Sequence, residues 1–202
     1  MTFTEPKTFS SLSDKERNTF FEYLKRITLE ETKDLASVNM WHPDWENEPK
    51  TLMYILCKTN LLSEDNGEYH IIFDELGDIA CSAGVYKSEF DKSFGLSTRL
   101  WVERKYRNLY LGGYTLQIEM KKWCLDNKCR AGGMSFNEYN KNLKYLFKRR
   151  RGAPKLTEKN LFYNGLWEVE FPIIIKYTKQ WLAYEKFDST YEFDWESIRA
   201  KD

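Results

Sequence analysis

Apolar and polar side chains alternate along three consecutive segments of the chain, and this pattern predicts three antiparallel strands. The first segment runs from Glu68 to Asp74, the second from Ile79 to Phe90 and the third from Phe94 to Val102. Residues 75–78, between the first two segments, are typical of a hairpin connection. In the third segment, the alternation predicts that Leu96, Thr98, Leu100 and Val102 share one face.

After Val102 the spacing of apolar residues changes from that of a strand to that of a helix. This spacing predicts a helix whose inward face is formed by Leu111, Tyr114, Ile118 and Leu125. Gly112 and Gly113 lie in its first turn, although glycine costs a helix about 1 kcal/mol relative to alanine. Two glycines at a helix start suggest that a ligand comes close to the backbone. Free N–H groups and the positive end of the helix dipole there favour a phosphate.

Further elements are predicted on both sides of this strand and helix. Ser13 and Glu16 form a capping box that begins a helix, and a second helix follows from Leu29 to Val38. Apolar residues predict that one side of the first helix carries Phe20, Phe21, Leu24 and Ile27. Residues 1–11 are predicted to be irregular. Later elements are a strand at 130–136 parallel to the third meander strand, a helix at 137–150 and a hairpin at 160–177.

Composition narrows the class of protein. A chain of 202 residues is enough for one domain with a sizeable core. Basic and acidic residues balance at 31 each, which gives no case for a nucleic acid or an acidic membrane as partner. The four cysteines form no C-x-x-C pair, so we expect reduced thiols in a cytoplasmic protein, without a metal site or a disulfide. A signal peptide and a membrane-spanning run are not evident.

The segment VERKYRNLYLGG, residues 102–113, resembles the acetyl-CoA signature of the GNAT (Gcn5-related) N-acetyltransferases. In that signature a strand ends in Val, and R/Q-x-x-G-x-G/A opens a helix. Arg107 and Gly112 fall on the outer positions, and Tyr110 stands where the middle glycine is expected. The resemblance implies an α+β fold with a mixed, mostly antiparallel central sheet flanked by helices. It implies one domain over residues 1–178, best supported from 69 to 178. Composition alone marks residues 179–202 as an aromatic and acidic tail that packs on the domain as a short helix or extends from it as a self-association or partner segment.

The resemblance also implies where acetyl-CoA binds as co-substrate. Pantetheine would enter where the third meander strand and the later parallel strand separate, and pyrophosphate would lie on the amides of residues 108–113. Asn140, on the next helix, would contact the cofactor. The cofactor-binding residues implied in this way are Leu100, Trp101, Val102, Arg107, Asn108, Leu109, Tyr110, Leu111, Gly112, Gly113 and Asn140.

Two residues are candidates for proton transfer during direct attack of an amine on the thioester. Glu103, acting through water, would deprotonate the ammonium, and Tyr145 would protonate the leaving thiolate. Both assignments have alternatives. Glu103 also fits a solvated turn residue. The position seven residues after Asn140, where the resemblance implies the acid, is Phe147, which has no proton to give.

The predicted function is therefore acetyl transfer to an amine, and the alternative is a catalytically inactive GNAT-fold binding or interaction module. Tyr110 and Phe147 favour the alternative. The acceptor is a small-molecule or peptide amine. Residues 40–49, rich in tryptophan and acids, fit either a surface loop docked on the core or a loop that binds a cationic amine. The oligomeric state stays open, with a homodimer as one alternative.

Overall fold

The computed structural model describes residues 2–36, 67–88, 91–109, 111, 116–137 and 180–194. These residues form a six-stranded sheet, two α-helices and two short 3₁₀ helices. The strands are β1 (Lys7–Thr8), β2 (Gly67–Phe73), β3 (Ile79–Lys87), β4 (Phe94–Val102), β5 (Ala131–Asn137) and β6 (Gln180–Lys186). The helices are α1 (Asp14–Ala36) and α2 (Leu116–Asp126), and the 3₁₀ helices are Phe9–Ser11 and Arg104–Leu109.

The strands follow one another across the sheet in chain order, from β1 to β6. Every neighbouring pair is antiparallel except β4 and β5, which are parallel. The predicted fold class, an α+β fold with a mixed and mostly antiparallel sheet, is confirmed. The bounds predicted for β4 and its parallel pairing with the later strand are also confirmed.

Helix α1 begins with the predicted capping box. The Ser13 amide and hydroxyl donate to Glu16 Oε2 over 2.9 and 2.7 Å, and the Glu16 amide donates to Ser13 Oγ over 3.4 Å. The inner side of the helix is formed by Phe20, Tyr23, Leu24 and Ile27. Phe21, predicted on this side, is instead 39% exposed.

The prediction of a separate second helix from Leu29 is wrong, because α1 continues without a break to Ala36. Thr28, directly before Leu29, is a residue type that can cap a helix, but a cap begins a new helix only where the preceding helix ends. The chain offers no glycine or proline between Asp14 and Ala36 to end it.

Replacing Ser13 with alanine removes the side-chain half of the capping box. We expect it to lower the free energy of unfolding by about 1 kcal/mol, measured by chemical denaturation. Thr19→Ala is the control, because its hydroxyl bonds back to the Lys15 carbonyl within the helix and caps nothing. That variant should be neutral or slightly stabilising. Equal stabilities for the two variants would contradict the cap.

The predicted inward face of α2 is wrong. Ile118 and Leu125 are 47% and 50% exposed, and the buried residues are Leu116, Met120 and Cys124. These residues also recur every four positions, so the periodicity of apolar residues is compatible with either face of the helix being buried. The sheet selects between them, because Gly95 of β4 lets the helix approach closely: a Cβ there would lie 2.3 Å from Cys124 Sγ.

The two ends of the chain contribute strands that the sequence did not indicate. Lys7–Thr8, predicted to be irregular, pairs with β2. Gln180–Lys186, placed in the tail and expected to form a short helix or a partner segment, pairs with β5 from Ala131↔Lys186 to Asn137↔Gln180. The domain boundary at residue 178 stays a prediction. Asn137, predicted to begin a helix, is the last residue of β5. The loop at 40–49, the rest of that predicted helix at 138–150 and the hairpin at 160–177 lie outside the described residues.

The helices in the described part of the chain are too short or too polar to cross a membrane. The described cysteines, Cys81, Cys124 and Cys129, are buried free thiols. Within the same residues, no three His, Cys, Asp or Glu side chains are grouped so that they could hold a metal ion.

His70 is a buried histidine on β2, 5% exposed, and its Nε2 has no hydrogen-bond partner among the described residues. Burial, and then the charge of Lys122 on α2, lower its pKa from 6.5 to about 4. The folded pKa lies below the unfolded value, so between the two the unfolded state binds more protons. The contribution of His70 to the free energy of unfolding is therefore fully present above pH 6.5, and it is lost as pH falls toward the folded pKa.

We expect the free energy of unfolding to fall by about 2 kcal/mol from this group alone between about pH 7.5 and about pH 5. His70→Phe removes the titrating group, so its denaturation curves should lose this part of the pH dependence. Titration of the His70 ring by NMR supplies the direct check. A folded-state pKa near 6.5 would contradict the prediction.

Candidate functional site

Strands β4 and β5 part in the middle of the sheet. They pair from Phe94↔Ala131 to Ser97↔Met134, and beyond this point each strand keeps only its outer neighbour. Strand β4 stays paired with β3 as far as Val102, and β5 stays paired with β6 as far as Asn137. The facing edges of residues 98–102 and 135–137 therefore carry backbone N–H and C=O groups that are not used between these two strands.

A β-bulge lies in β4 just where the two strands part. The pairing with β3 shifts from Ser82↔Trp101 to Gly84↔Thr98, so β4 has one more residue than β3 in this interval. The extra residue reverses the alternation of side chains along the strand. Leu116, Met120 and Cys124 of α2 form one core cluster with residues of β2 and β3, called here the α2 cluster. Before the bulge Gly95 faces α2, whereas after it Leu100 and Val102 pack against the α2 cluster.

The prediction of a single face running from Leu96 to Val102 is therefore wrong. Leu96 packs with Phe94 and Tyr86 in one cluster, and Leu100 and Val102 pack in another. Trp101 points to the opposite side, against the cluster that contains Phe20, Tyr23, Leu24 and Ile27 of α1. A bulge of this kind turns the backbone of a strand locally, and such bulges are common beside functional sites.

The C-terminal end of β4 lies against polar side chains of α1 and β3. The Tyr23 hydroxyl donates to the Trp101 carbonyl over 3.5 Å, and Ser82 Oγ donates to the Tyr23 hydroxyl over 3.2 Å. Burial raises the pKa of Tyr23, so this hydroxyl keeps its proton at neutral pH. The buried Trp101 Nε1 has no hydrogen-bond partner among the residues described.

Glu103, the candidate base, forms an ion pair with α1. Arg26 Nη2 donates to Glu103 Oε1 over 2.5 Å, and the Glu103 side chain is 18% exposed. The hydrogen bond from Arg26 to Glu103 raises the pKa of the guanidinium. The role of Glu103 in proton transfer stays a prediction.

Arg107 lies over the end of β4. Its Nε donates to the Val102 carbonyl over 3.1 Å, and its guanidinium carbon lies 5.3 Å from the centre of the Trp101 ring. Leu109 is 47% exposed, and Leu111 packs against the α2 cluster. The structure therefore brings Leu100, Trp101, Val102, Glu103 and Arg107 together at one end of β4.

The 3₁₀ helix after β4 is tied to the hairpin between β2 and β3. Tyr106, 2% exposed, donates from its hydroxyl to Asp74 Oδ2 over 2.6 Å. Lys105 Nζ lies 3.3 Å from the same oxygen. The sequence did not single out Asp74, and nothing in its local pattern connects a hairpin residue to this helix.

The remaining candidate residues lie outside the described part of the chain. These are Tyr110, Gly112, Gly113, Asn140 and Tyr145. Asn108 lies within the 3₁₀ helix, and only its backbone is described. Their proposed contacts with a cofactor, and the role of Tyr145 as the acid, stay predictions.

No protein-family model and no curated protein matches this sequence. Solved structures do match it across nearly its whole length. A GNAT-family acetyltransferase from Staphylococcus aureus Mu50 is 14% identical, covers 93% of this chain and 99% of its own, and gives a TM-score of 0.54. A GNAT-family acetyltransferase from Streptococcus pneumoniae is 15% identical, with coverages of 92% and 99% and a TM-score of 0.51.

The PaiA N-acetyltransferase from Thermoplasma acidophilum, solved in complex with coenzyme A, is 10% identical. Its alignment covers 93% of this chain and 100% of that one, with a TM-score of 0.53. Similarity at such low identity shows the fold. The chain thus has the fold of the GNAT acetyltransferases, as the resemblance of residues 102–113 implied.

Proposed function

We propose that this protein is an acetyl-CoA-dependent N-acyltransferase that moves an acetyl group to an amine by direct attack on the thioester. The observation that carries the proposal is the parting of β4 and β5 beyond Ser97 and Met134. This gap lies directly before the residues that match the acetyl-CoA signature, Arg107 to Gly112. A protein of the same fold, PaiA from Thermoplasma acidophilum, was solved with coenzyme A.

The unused strand edges fit the pantetheine arm. Amide groups of pantetheine would pair with those backbone groups of residues 100–102 that face the gap, where β5 no longer pairs with β4. The Val102 carbonyl already accepts a bond from Arg107, so that residue would couple the strand end to the phosphate-binding segment. Pyrophosphate would lie on the amides of residues 108–113, with Arg107 adding positive charge.

Acetyl-CoA supplies the activated acyl group, and the protein supplies orientation and proton transfer. A backbone N–H near Val102 would stabilise the oxyanion that develops on the thioester carbonyl. Glu103 would take the proton of the ammonium through water, and Arg26 would hold its carboxylate in place. Tyr145 would return a proton to the departing thiolate.

The proposed acceptor is a small-molecule or peptide amine. Acids and tryptophans in residues 40–49 favour a cationic amine, because they supply charge and aromatic faces to bind it. We place the protein in the cytoplasm, because its four cysteines form no C-x-x-C pair and are expected to stay reduced.

An inactive binding module is the second candidate, and two positions favour it. Tyr110 replaces the middle glycine of the signature, and Phe147 stands where a tyrosine that acts as general acid is expected. Such a module would keep the fold and the gap and would bind acyl-CoA or a partner without turnover.

Two measurements on the wild-type protein separate these functions. Calorimetry with acetyl-CoA tests binding, and a thiol-release assay with a panel of amines tests turnover. The panel contains a polyamine, a lysine peptide, a peptide with a free N-terminus and an aminoglycoside. Micromolar binding with amine-dependent thiol release supports the enzyme. Binding without release for any amine supports the inactive module. Failure to bind acetyl-CoA overturns the enzyme and leaves only a module that binds a partner other than acyl-CoA.

A further inference from the structure

Asp74 is a buried carboxylate at the end of β2 that accepts hydrogen bonds from four donors. Its side chain belongs to a residue only 4% exposed. The donors are the amides of Leu76 and Asp78 at 3.0 and 2.9 Å, the Tyr106 hydroxyl at 2.6 Å and Lys105 Nζ at 3.3 Å. Burial raises the pKa of Asp74, but these hydrogen bonds, Tyr106 first, outweigh burial and lower it overall. Asp74 is therefore charged at neutral pH.

The four donors come from two elements. Leu76 and Asp78 belong to the β2–β3 hairpin, so their bonds to Oδ1 hold the carboxylate in a fixed orientation. Tyr106 and Lys105 belong to the 3₁₀ helix Arg104–Leu109, and both reach Oδ2. One carboxylate thus fastens the segment after β4 to a rigid hairpin of the sheet.

Tyr106 has further contacts that hold the 3₁₀ helix from both sides. Its ring lies edge-on to Phe3, with ring centres 5.2 Å apart, and Lys105 Nζ lies 4.6 Å from its centre. It packs in the same cluster as Leu116 and Met120 of α2. A 3₁₀ helix has poorer internal hydrogen bonds than an α-helix, so contacts of this kind decide its position.

We infer that Asp74 and Tyr106 are positioning residues for acyl-CoA. They hold residues 104–109 so that Arg107 stays over the end of β4 and the following backbone amides face the pyrophosphate. Neither residue touches the ligand, and both act through the segment they fasten. This inference rests on the proposed function, because it concerns the same site.

The chain contains a matched control for this arrangement. The Tyr191 hydroxyl donates to Asp91 Oδ2 over 2.8 Å, and Asp91 also accepts from the amide and hydroxyl of Ser93. Burial raises the pKa of Asp91, and hydrogen bonds from Ser93 and Tyr191 lower it overall. The chemistry is the same, but this pair lies at the start of β4, where Asp91 precedes Phe94 and the Tyr191 ring packs on it, whereas Tyr106 follows the other end of the strand.

The experiment compares Tyr106→Phe and Asp74→Asn with Tyr191→Phe, in calorimetric titrations with acetyl-CoA. Tyr106→Phe should raise Kd about tenfold, the loss typical of one hydrogen bond to a charged group. Tyr191→Phe should leave Kd within about twofold of the wild-type value. It should lower Tm about as much as Tyr106→Phe does, because each variant loses one hydrogen bond to a carboxylate. Because Asp74→Asn risks loss of folding, Tm is recorded for every variant, and Tyr106→Phe decides the result.

Two further readouts distinguish positioning from general destabilisation. In the thiol-release assay, Tyr106→Phe should raise KM for acetyl-CoA and leave kcat within about twofold. Hydrogen exchange of the free protein should become faster in residues 104–109 of Tyr106→Phe and remain unchanged there in Tyr191→Phe.

Each outcome decides the inference. Weaker binding by Tyr106→Phe but not by Tyr191→Phe, with faster exchange in residues 104–109, supports it. Equal Kd values for Tyr106→Phe and Tyr191→Phe overturn it and leave the proposed function standing, since the wild type still binds. Failure of the wild type to bind acetyl-CoA overturns both the inference and the proposed function.

Discussion

Gly133→Ala should lower the free energy of unfolding by about 3 kcal/mol or more, because the added methyl group has no space. A Cβ at Gly133 would lie 2.4 Å from the Ala183 carbonyl oxygen and 2.7 Å from Tyr184 Cβ. Both atoms belong to β6, and Tyr184 is the direct partner of Gly133 in the sheet. A shift of β6 that relieved the contact would weaken the ladder from Ala131↔Lys186 onward. The cost therefore falls on the backbone rather than on a flexible side chain.

Gly77→Ala is the control for this substitution. Gly77 has a φ of +84°, and a Cβ there would meet nothing within 4 Å. Its replacement should cost about 1 kcal/mol, which is the strain of alanine in the left-handed region. Chemical denaturation of both variants supplies the comparison. If Gly133→Ala destabilised the protein no more than Gly77→Ala, β6 would not lie as close to β5 as described.

The close contact between β5 and β6 also matters for the gap. Strand β5 remains paired with β6 over its full length, while it pairs with β4 only as far as Met134. The β6 pairing therefore satisfies one edge of β5, while the edge toward β4 is unpaired with β4 beyond Met134. A variant that loosens β6, such as Gly133→Ala, should weaken acetyl-CoA binding as well as stability.

The parts of this fold that were predictable are those fixed by neighbouring residues. Strand β4 was predicted with its correct bounds, and the bonds between Ser13 and Glu16 followed from their spacing. The bulge in β4 was not predictable in this way. It is a mismatch between two strands, and alternation along one strand carries no information about the register of its partner.

Strand β6 shows a second limit of sequence patterns. Its central residues, Trp181 to Tyr184, are all apolar, and a short apolar run does not distinguish a strand from a buried helix segment. What decides its structure is the open edge of β5, which lies more than 40 residues earlier in the chain.

In the candidate site, too, the local motif was predictable and the contacts between distant residues were not. The signature around Arg107 is a local motif, so the sequence pointed to the end of β4. The partners that fix this end are distant: Arg26 is 77 positions from Glu103, and Asp74 is 32 from Tyr106. No spacing rule covers such distances, and these contacts follow only from how the helices pack on the sheet.

The largest effect on function is expected from Gly112→Trp. Gly112 holds the last glycine position of the signature, where a ligand phosphate would approach the backbone most closely. A bulky side chain there should lower the affinity for acetyl-CoA at least about a hundredfold, measured by calorimetry. Leu125→Trp is the control, because it adds the same ring at a position of α2 that is 50% exposed. It should leave Kd unchanged.

Tyr110→Gly tests the departure from the signature in the same titrations. The tyrosine still supplies a backbone N–H, so it is compatible with phosphate binding if its φ is negative and obstructs binding if φ must be positive. With a negative φ, both the wild type and Tyr110→Gly bind, and Gly112→Trp does not. If only Tyr110→Gly binds, the wild type has the scaffold of an acetyltransferase but has lost its co-substrate. If neither binds, residues 107–112 are not a phosphate site, and the GNAT fold of this chain serves another function.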